Sequence, residues 1–147
     1  MLNFVTVLRV LPGGALLLKH SEDSRIQKVL ALIADAPVQE CAGLAGQVHL
    51  STNRLVHLFR HETGVGLGLV LRDARLRYSA HLLSSGKEPE KEIAFLSGYR
   101  HLSSFVRAFT LRYFESPRSY RRNPLVLVMS PLGEGVVAEA LAVAAHA

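Results

Sequence analysis

From Ser24 onward the apolar positions follow a helical rhythm. Ile26, Val29, Leu30 and Ile33 fall at i, i+3, i+4 and i+7, one face of a first helix that Ala36-Pro37 closes. After Pro37, the residues Val38, Cys41, Ala42 and Ala45 repeat that spacing and Val48 extends it, until His49-Leu50-Ser51 breaks in. This predicts a second, short helix and a tight turn. Ser51 carries a hydroxyl suited to accept from the open amides of a helix start, so a third helix is expected from Thr52 to Thr63, stopped by Gly64. At about 100° per residue, Leu55, Leu58 and Phe59 gather on one side of it and Asn53, Val56, His57 and Arg60 on the other. Residues 67 to 84 form the longest helical stretch, with Leu69, Leu76, Ala80 and Leu83 on one apolar face and Leu71, Tyr78 and Leu82 on another. A helix packed on both sides suits a connector between two subdomains.

Ser84-Ser85-Gly86-Lys87-Glu88-Pro89 breaks the pattern, and a second unit mirrors the first. A short helix with Ile93, Ala94 and Leu96 leads to a turn at Gly98-Tyr99. A helix from Leu102 to Tyr113 follows, with Phe105, Ala108 and Phe109 inward and Ser103, Val106, Arg107 and Thr110 outward. Leu55, Leu58 and Phe59 correspond to Phe105, Ala108 and Phe109 at an offset of 50 residues, a diverged internal repeat. Ser116-Pro117 is a further helix start, running into Tyr120-Arg121-Arg122. Residues 1 to 22 hold two apolar runs about Leu11-Pro12-Gly13-Gly14, either a short hairpin or a linker remnant. Residues 124 to 147 are apolar and alanine-rich with no Lys or Arg; a packing helix, a dimer contact and a disordered tail all stay open.

Composition narrows the picture. A chain of 147 residues fits one domain or two small subdomains and excludes a large multidomain enzyme. With 49% hydrophobic and 20% charged residues it has the makings of a folded core. A formal charge of +5 favours an anionic partner, with ribosomal, membrane-surface and DNA-binding readings all open. The single cysteine, Cys41, allows no internal disulfide and no thiolate zinc cluster, and suits a reducing cytoplasm. No run approaches the roughly 20 apolar residues of a membrane span, and the N-terminal run has no basic residue until Arg9, unlike a signal peptide.

A short helix, a tight turn and a second helix with one apolar and one polar face, occurring twice, make the helix-turn-helix pattern. A major groove about 12 Å wide admits one helix, and the preceding helix braces it so that its outward side chains meet base edges. Those outward faces carry donors and cations: Asn53, His57 and Arg60 on the first, Ser103 and Arg107 on the second, with Arg100, His101 and Arg112 near the ends of the latter. Residues 98 to 123 hold six arginines against Glu115 alone, and residues 51 to 77 hold five against Glu62 and Asp73. The cations therefore concentrate where phosphates would lie.

The run Leu50-Ser51-Thr52-Asn53-Arg54-Leu55-Val56-His57-Leu58-Phe59-Arg60-His61-Glu62-Thr63-Gly64 resembles the first helix-turn-helix of AraC/XylS-type transcription regulators, whose pattern reads L-S-x-x-x-L-x-x-x-F-[KR]-x-E-T-G. Ile93-Ala94, Gly98-Tyr99, Phe105, Arg107-Ala108-Phe109, Ser116-Pro117 and Tyr120-Arg121 resemble the family's I-A-x-x-x-G-F, F-x-R-x-F and S-P-x-x-Y-R. The resemblance covers about Ser24 to Asn123.

It implies an all-α, seven-helix unit over residues 23 to 123. Two helix-turn-helix subdomains, about 38–63 and 90–113, are joined by a connecting helix at about 67–84, each placing a recognition helix in one of two adjacent major grooves. Carried over residue by residue, the base-reading positions are Thr52, Asn53, Val56 and His57 on the first recognition helix and Arg100, Leu102, Ser103 and Arg107 on the second. Three positions depart from the pattern: Gly66, followed by Gly68, stands where a serine cap is usual, Glu90 where an apolar residue is usual, and Phe114 where many members have glycine. The two glycines predict a late or frayed start to the connector. Glu90 predicts disturbed packing of the fifth helix.

The partners implied are double-stranded promoter DNA and RNA polymerase, in a bacterial cytoplasm at the nucleoid. No cofactor, catalysis or small-molecule effector pocket is expected within this chain. Most members carry a separate effector-binding or dimerisation domain ahead of this unit. The expectation is either a short stand-alone regulator or the C-terminal part of a longer one.

Other chemistries fit poorly. His57 and His61 share a helix face, but no third ligand has the spacing to complete a metal site, and Val65 stands where a zinc-protease motif needs its second histidine. Cys41 lies on an apolar face and reads as core. Gly64-Val65-Gly66-Leu67-Gly68 follows a helix rather than a strand and lacks the Gly-Lys-Ser/Thr of a phosphate-binding loop. The competing reading from another class is a non-catalytic protein-interaction module whose basic face meets an acidic partner.

Overall fold

The computed structural model describes residues 21–122 together with the backbone of two short strands near the N-terminus. The strands, β1 (Val7–Leu8) and β2 (Leu16–Leu17), pair antiparallel with Val7 opposite Leu17 and Leu8 opposite Leu16. Beyond this two-residue pairing the described chain is helical: α1 (Ser24–Asp35), α2 (Cys41–Gln47), α3 (Thr52–Thr63), α4 (Leu67–Ser85), α5 (Glu90–Leu96), α6 (Leu102–Tyr113) and α7 (Pro117–Arg122). The expectations for residues 124 to 147 lie outside the described residues.

Local chemistry sets several boundaries. Asp23 caps α1, its carboxylate accepting from the Arg25 amide at 2.9 Å. Ser51 caps α3 by accepting from the Arg54 amide at 3.3 Å, and Gly64, at φ 77°, ends it in the left-handed conformation. The Ser116 hydroxyl accepts from the Ser119 amide at the start of α7. The second helix opens at Cys41, later than the apolar spacing after Pro37 predicts. Its inward residues are Leu44, Ala45 and Val48 with Cys41 half-buried, whereas Ala42 is exposed and Val38, ahead of the helix, is 40% exposed.

The connector starts at the residue its pattern predicts, not later as the two glycines lead one to expect, but its faces differ from the prediction. It begins at Leu67 with Gly66 as its cap and no side-chain hydrogen bond there, and Gly68 continues the helix. Leu67, buried in the first core, holds the first turn where a capping hydroxyl is missing. The two apolar sides are arranged along the helix rather than around it. Leu67, Val70, Leu71 and Ala74 pack with α1 to α3, while Leu76, Ala80 and Leu83 pack with α5 to α7. Leu69, predicted inward, is 48% exposed. Glu90 does not disturb α5: it sits in the first turn, where a carboxylate favours the helix dipole, and Ile93 and Ala94 are buried as predicted.

Two cores result. The first is aliphatic around Phe59, with Ile26, Val29, Leu44 and Leu55. The second is aromatic: Phe105, Phe109, Tyr113 and Tyr120 stack in series with centroid separations of 4.5 to 5.6 Å, and Tyr99 adds to the stack at 5.5 Å from Phe105. Such pairs contribute about 0.5–1.5 kcal/mol each beyond the area they bury.

Candidate nucleic-acid interface

Each half presents one helix by bracing it from behind. Leu55 and Phe59 of α3 are fully buried, as are Phe105 and Phe109 of α6, and this fixes which side of each helix stays free. On α3 the free side carries Thr52, Asn53, Val56, His57 and Arg60, all exposed. On α6 and the turn before it, Arg100, Leu102, Ser103 and Arg107 are exposed, while Val106 is half-buried against the second core. Nine of the ten candidate residues therefore stand on accessible surface.

Arg112 is the exception and corrects the predicted set. Its side chain is only 12% exposed, its Nε lies 2.9 Å from Asp73 Oδ1, and its guanidinium rests over the Tyr113 ring at 4.9 Å. Asp73 is buried in α4 and also pairs with Arg77 at 2.9 Å. The reason lies in the helix geometry. Arg112 is three residues beyond Phe109 and seven beyond Phe105, which puts it on the packed side of α6. The signal that would have found this is an aspartate in the middle of an otherwise apolar connector, since a buried carboxylate needs a cation.

The repeat is closer than a uniform offset conveys. α6 follows α3 by 50 residues, but α5 follows α2 by only 49, so the second turn is one residue longer. The turns share two backbone hydrogen bonds at matching positions. The Leu50 amide donates to Ala45 O as Tyr99 does to Ala94 O, and His49 donates to Gly46 O as Gly98 does to Phe95 O. His49 and Gly98 both take positive φ, 56° and 81°. The additional residue falls between Tyr99 and the His101 cap: it is Arg100, an exposed cation at the mouth of the second helix.

Polar anchors at the ends of the two helices also correspond. Glu62 accepts a hydrogen bond from the buried Ser21 hydroxyl at 2.9 Å, and Arg112 holds Asp73 at the matching position. The next residues are buried in both copies: the Thr63 hydroxyl donates to Phe59 O at 2.7 Å, and the Tyr113 hydroxyl to Leu76 O at 3.4 Å. Burial raises the Tyr113 phenol well above its ordinary range, so it stays protonated. Glu62 and Ser21 were not among the sequence candidates because their partnership spans 41 residues.

The arginines divide into two kinds. Arg54, Arg60, Arg72, Arg100, Arg107, Arg118 and Arg122 are exposed. Arg75 donates to Gln39 O, Arg77 pairs with Asp73, and Arg121 donates to Glu88 O. The exposed group supplies the cationic surface; of the others, Arg75 ties the connector to the loop before α2, Arg77 stays within α4, and Arg121 ties α7 to the loop before α5. Among the described residues no group of three His, Cys, Asp or Glu side chains converges as a metal site would require, and no helix is long and apolar enough to cross a membrane.

Seven helices arranged as two braced pairs on a connecting helix define a double helix-turn-helix protein. A family model described as a helix-turn-helix domain matches residues 44–123, and the chain belongs to that family, in its AraC type. It is 25% identical over 108 residues to the HTH-type transcriptional regulator MtrA of Neisseria gonorrhoeae, covering 72% of this chain and 36% of that protein. It is 31% identical over 81 residues to the right origin-binding protein of Escherichia coli (strain K12), covering 55% of this chain and 28% of that one. The chain thus spans about a third of the length of the curated relatives it matches.

Among solved structures, the fold is similar to the C-terminal domain of AraT, a response regulator from Geobacillus stearothermophilus. The TM-score is 0.62 at 22% identity, over 77% of this chain and 96% of that one. It is also similar to the DNA-binding domain of AdpA, a global transcriptional factor solved in complex with a target DNA. Here the TM-score is 0.59 at 23% identity, over 67% and 90% of the two chains.

Proposed function

We propose that this chain is a sequence-specific DNA-binding transcription regulator that reads two adjacent major-groove segments and has no catalytic role. The observation that carries this is the pairing of two recognition helices whose exposed sides hold Asn53, His57 and Arg60 on one and Ser103 and Arg107 on the other, with apolar sides buried against separate cores. Asn pairs a donor with an acceptor to match an adenine edge, Arg offers two donors to a guanine edge, and Val56 and Leu102 offer apolar contact to thymine methyls. The names of the relatives and the DNA complex of AdpA point the same way. The contact set is Thr52, Asn53, Val56, His57, Arg60, Arg100, Leu102, Ser103 and Arg107; Arg112 is left out because its charge is committed to Asp73. Action at promoters with RNA polymerase, in a bacterial cytoplasm, belongs to the same proposal, as does the assignment of any effector-binding role to another chain or domain.

The test is binding to duplex DNA as a function of salt, followed by fluorescence anisotropy. Neutralising phosphates should make log K fall by about 0.9 per contacted phosphate per tenfold rise in salt. Binding that ignores salt, or no binding to any duplex, contradicts the proposal and favours the protein-interaction reading.

A further inference from the structure

The helices pack within each half or onto α4; no substantial helix packing joins α1, α2 or α3 directly to α5, α6 or α7. Among the described residues, one place where the two halves approach each other is at Arg75. Arg75, in the middle of α4, extends its guanidinium to the loop ahead of α2, where Nη2 donates to Gln39 O at 2.7 Å. The same side chain lies under the turn between α5 and α6. A Cβ added to Gly98 would sit 3.5 Å from Arg75 Nε and 3.2 Å from Val38 Cγ1. Val38 is the neighbour of Gln39, so the loop of the first half, the guanidinium and the turn of the second form one stack. Arg75 Nε is buried there without a hydrogen-bond partner among the described residues. Tyr99, the next residue of the turn, closes the side of a cleft of about 360 Å³ that also includes Arg72, Glu40 and Cys41.

We infer that Arg75 is a positioning residue that fixes the rotation of one helix-turn-helix about α4 relative to the other, and so sets the spacing between the two DNA segments the chain accepts. The inference rests on the DNA-binding reading for its consequence but not for its mechanics. A single α-helix is a yielding link in torsion when the modules at its two ends share no other contact. A guanidinium bonded to a carbonyl of one module and packed beneath a glycine of the other adds the missing second connection. Gly98 suits this place twice over: its φ of 81° favours glycine, and any side chain would press on Val38. The arginine makes no demand on DNA itself, and its substitution should therefore leave each half-site's sequence unchanged.

Two measurements on the full chain test this together. Spin labels at His61→Cys and Leu111→Cys, both exposed positions outside the proposed contact set, in a Cys41→Ala background, report the distance between α3 and α6 by pulsed electron resonance. The distribution should be narrow with Arg75 present, broad in Arg75→Ala, and intermediate in Arg75→Lys, which keeps a donor but loses the planar fork. Val38→Ala, at an exposed loop position, should broaden it in the same direction and serves if Arg75→Ala fails to fold by circular dichroism.

In parallel, a pool of random-sequence duplexes is selected with each protein. The parent chain should return two half-site motifs at one spacing and lose affinity about tenfold or more when the spacer changes by one base pair, as rigid two-site binding requires. Arg75→Ala should return the same motifs at several spacings. A distance distribution unchanged in every folded variant overturns the inference whether or not DNA is bound. A broadened distribution with unaltered spacing preference overturns the link to specificity. If the parent chain selects no motif while the distribution broadens, the DNA reading fails and the mechanical role of Arg75 stands.

Discussion

Asp73 in the middle of α4 and Arg112 at the end of α6 form a 2.9 Å ion pair, their side chains 5% and 12% exposed. Removing Arg112 leaves the buried Asp73 carboxylate held by Arg77 alone among the described residues, a charge only partly compensated, which typically costs more than the intact pair contributes. Arg112→Ala should therefore lower stability by about 3 kcal/mol. Arg107→Ala, an exposed residue on the same helix, should stay within about 0.5 kcal/mol of the parent. Denaturant unfolding followed by circular dichroism compares them; equal midpoints would show that the pair has no structural role.

Gly64 and Phe114 end the two recognition helices in the same left-handed conformation, φ 77° and 59°, and only one of them is the residue that adopts it freely. A non-glycine residue there carries about 1–2 kcal/mol of strain. The Phe114 ring is 72% exposed and packs little in return. Phe114→Gly should raise stability by about 0.5–1 kcal/mol after the added backbone entropy of the unfolded chain is subtracted. Gly64→Ala should lower it by about 1 kcal/mol. A thermal melt in which Phe114→Gly is the less stable protein would mean the ring makes contacts that outweigh the strain.

Acid should loosen the start of α1. The Arg25 side chain bonds to the Asp23 carboxylate, and with the backbone amides it lowers the Asp23 pKa from 3.8 to about 2. A folded-state pKa below the unfolded one means that stability is fully present above about pH 4 and is lost as the pH falls towards 2. Asp23→Asn keeps a capping oxygen but no titrating charge, so its unfolding midpoint should fall less between those pH values. Tyr113 acts at the other limit: burial raises its pKa, so its contribution is present below the ordinary tyrosine range and declines as the pH rises past it. Superimposable acid limbs for Asp23→Asn and the parent would remove Asp23 from the account.

Arg107 projects from the free side of α6 between Ser103 and Thr110, all exposed. If it reads a base, Arg107→Ala should weaken binding to the selected duplex by about 1–3 kcal/mol and relax preference at one position. A uniform loss across all sequences, with a salt slope lower by about one, would assign it to a phosphate instead.

Much of this was legible in the sequence because helix periodicity and capping are local. Ile26, Val29 and Ile33, Leu55 and Phe59, and Phe105 and Phe109 are buried where their spacing places them, and Ser51, Gly64 and Ser116 act at the expected helix ends. Long-range pairings were not legible. A cation near the end of a basic helix looks the same in sequence whether it faces solvent or a carboxylate 39 residues away, and Arg112 does the latter. The two apolar faces read on the connector fail at Leu69 because α4 changes partners halfway along its length, and a wheel drawn for the whole helix averages two different packing directions. Arg100 as the extra residue of the second turn appears only when the turns are superposed through their hydrogen bonds.

The most direct test is dimethyl sulfate protection of guanine N7, which lies in the major groove, on a duplex selected by the full chain. Two recognition helices in one chain predict two protected segments on one face of the duplex, centred about one helical turn of roughly 34 Å apart. Asn53→Ala should remove protection from one segment and Arg107→Ala from the other. A single protected segment, or loss of both segments together in each variant, would contradict a chain that reads DNA with two separate helices.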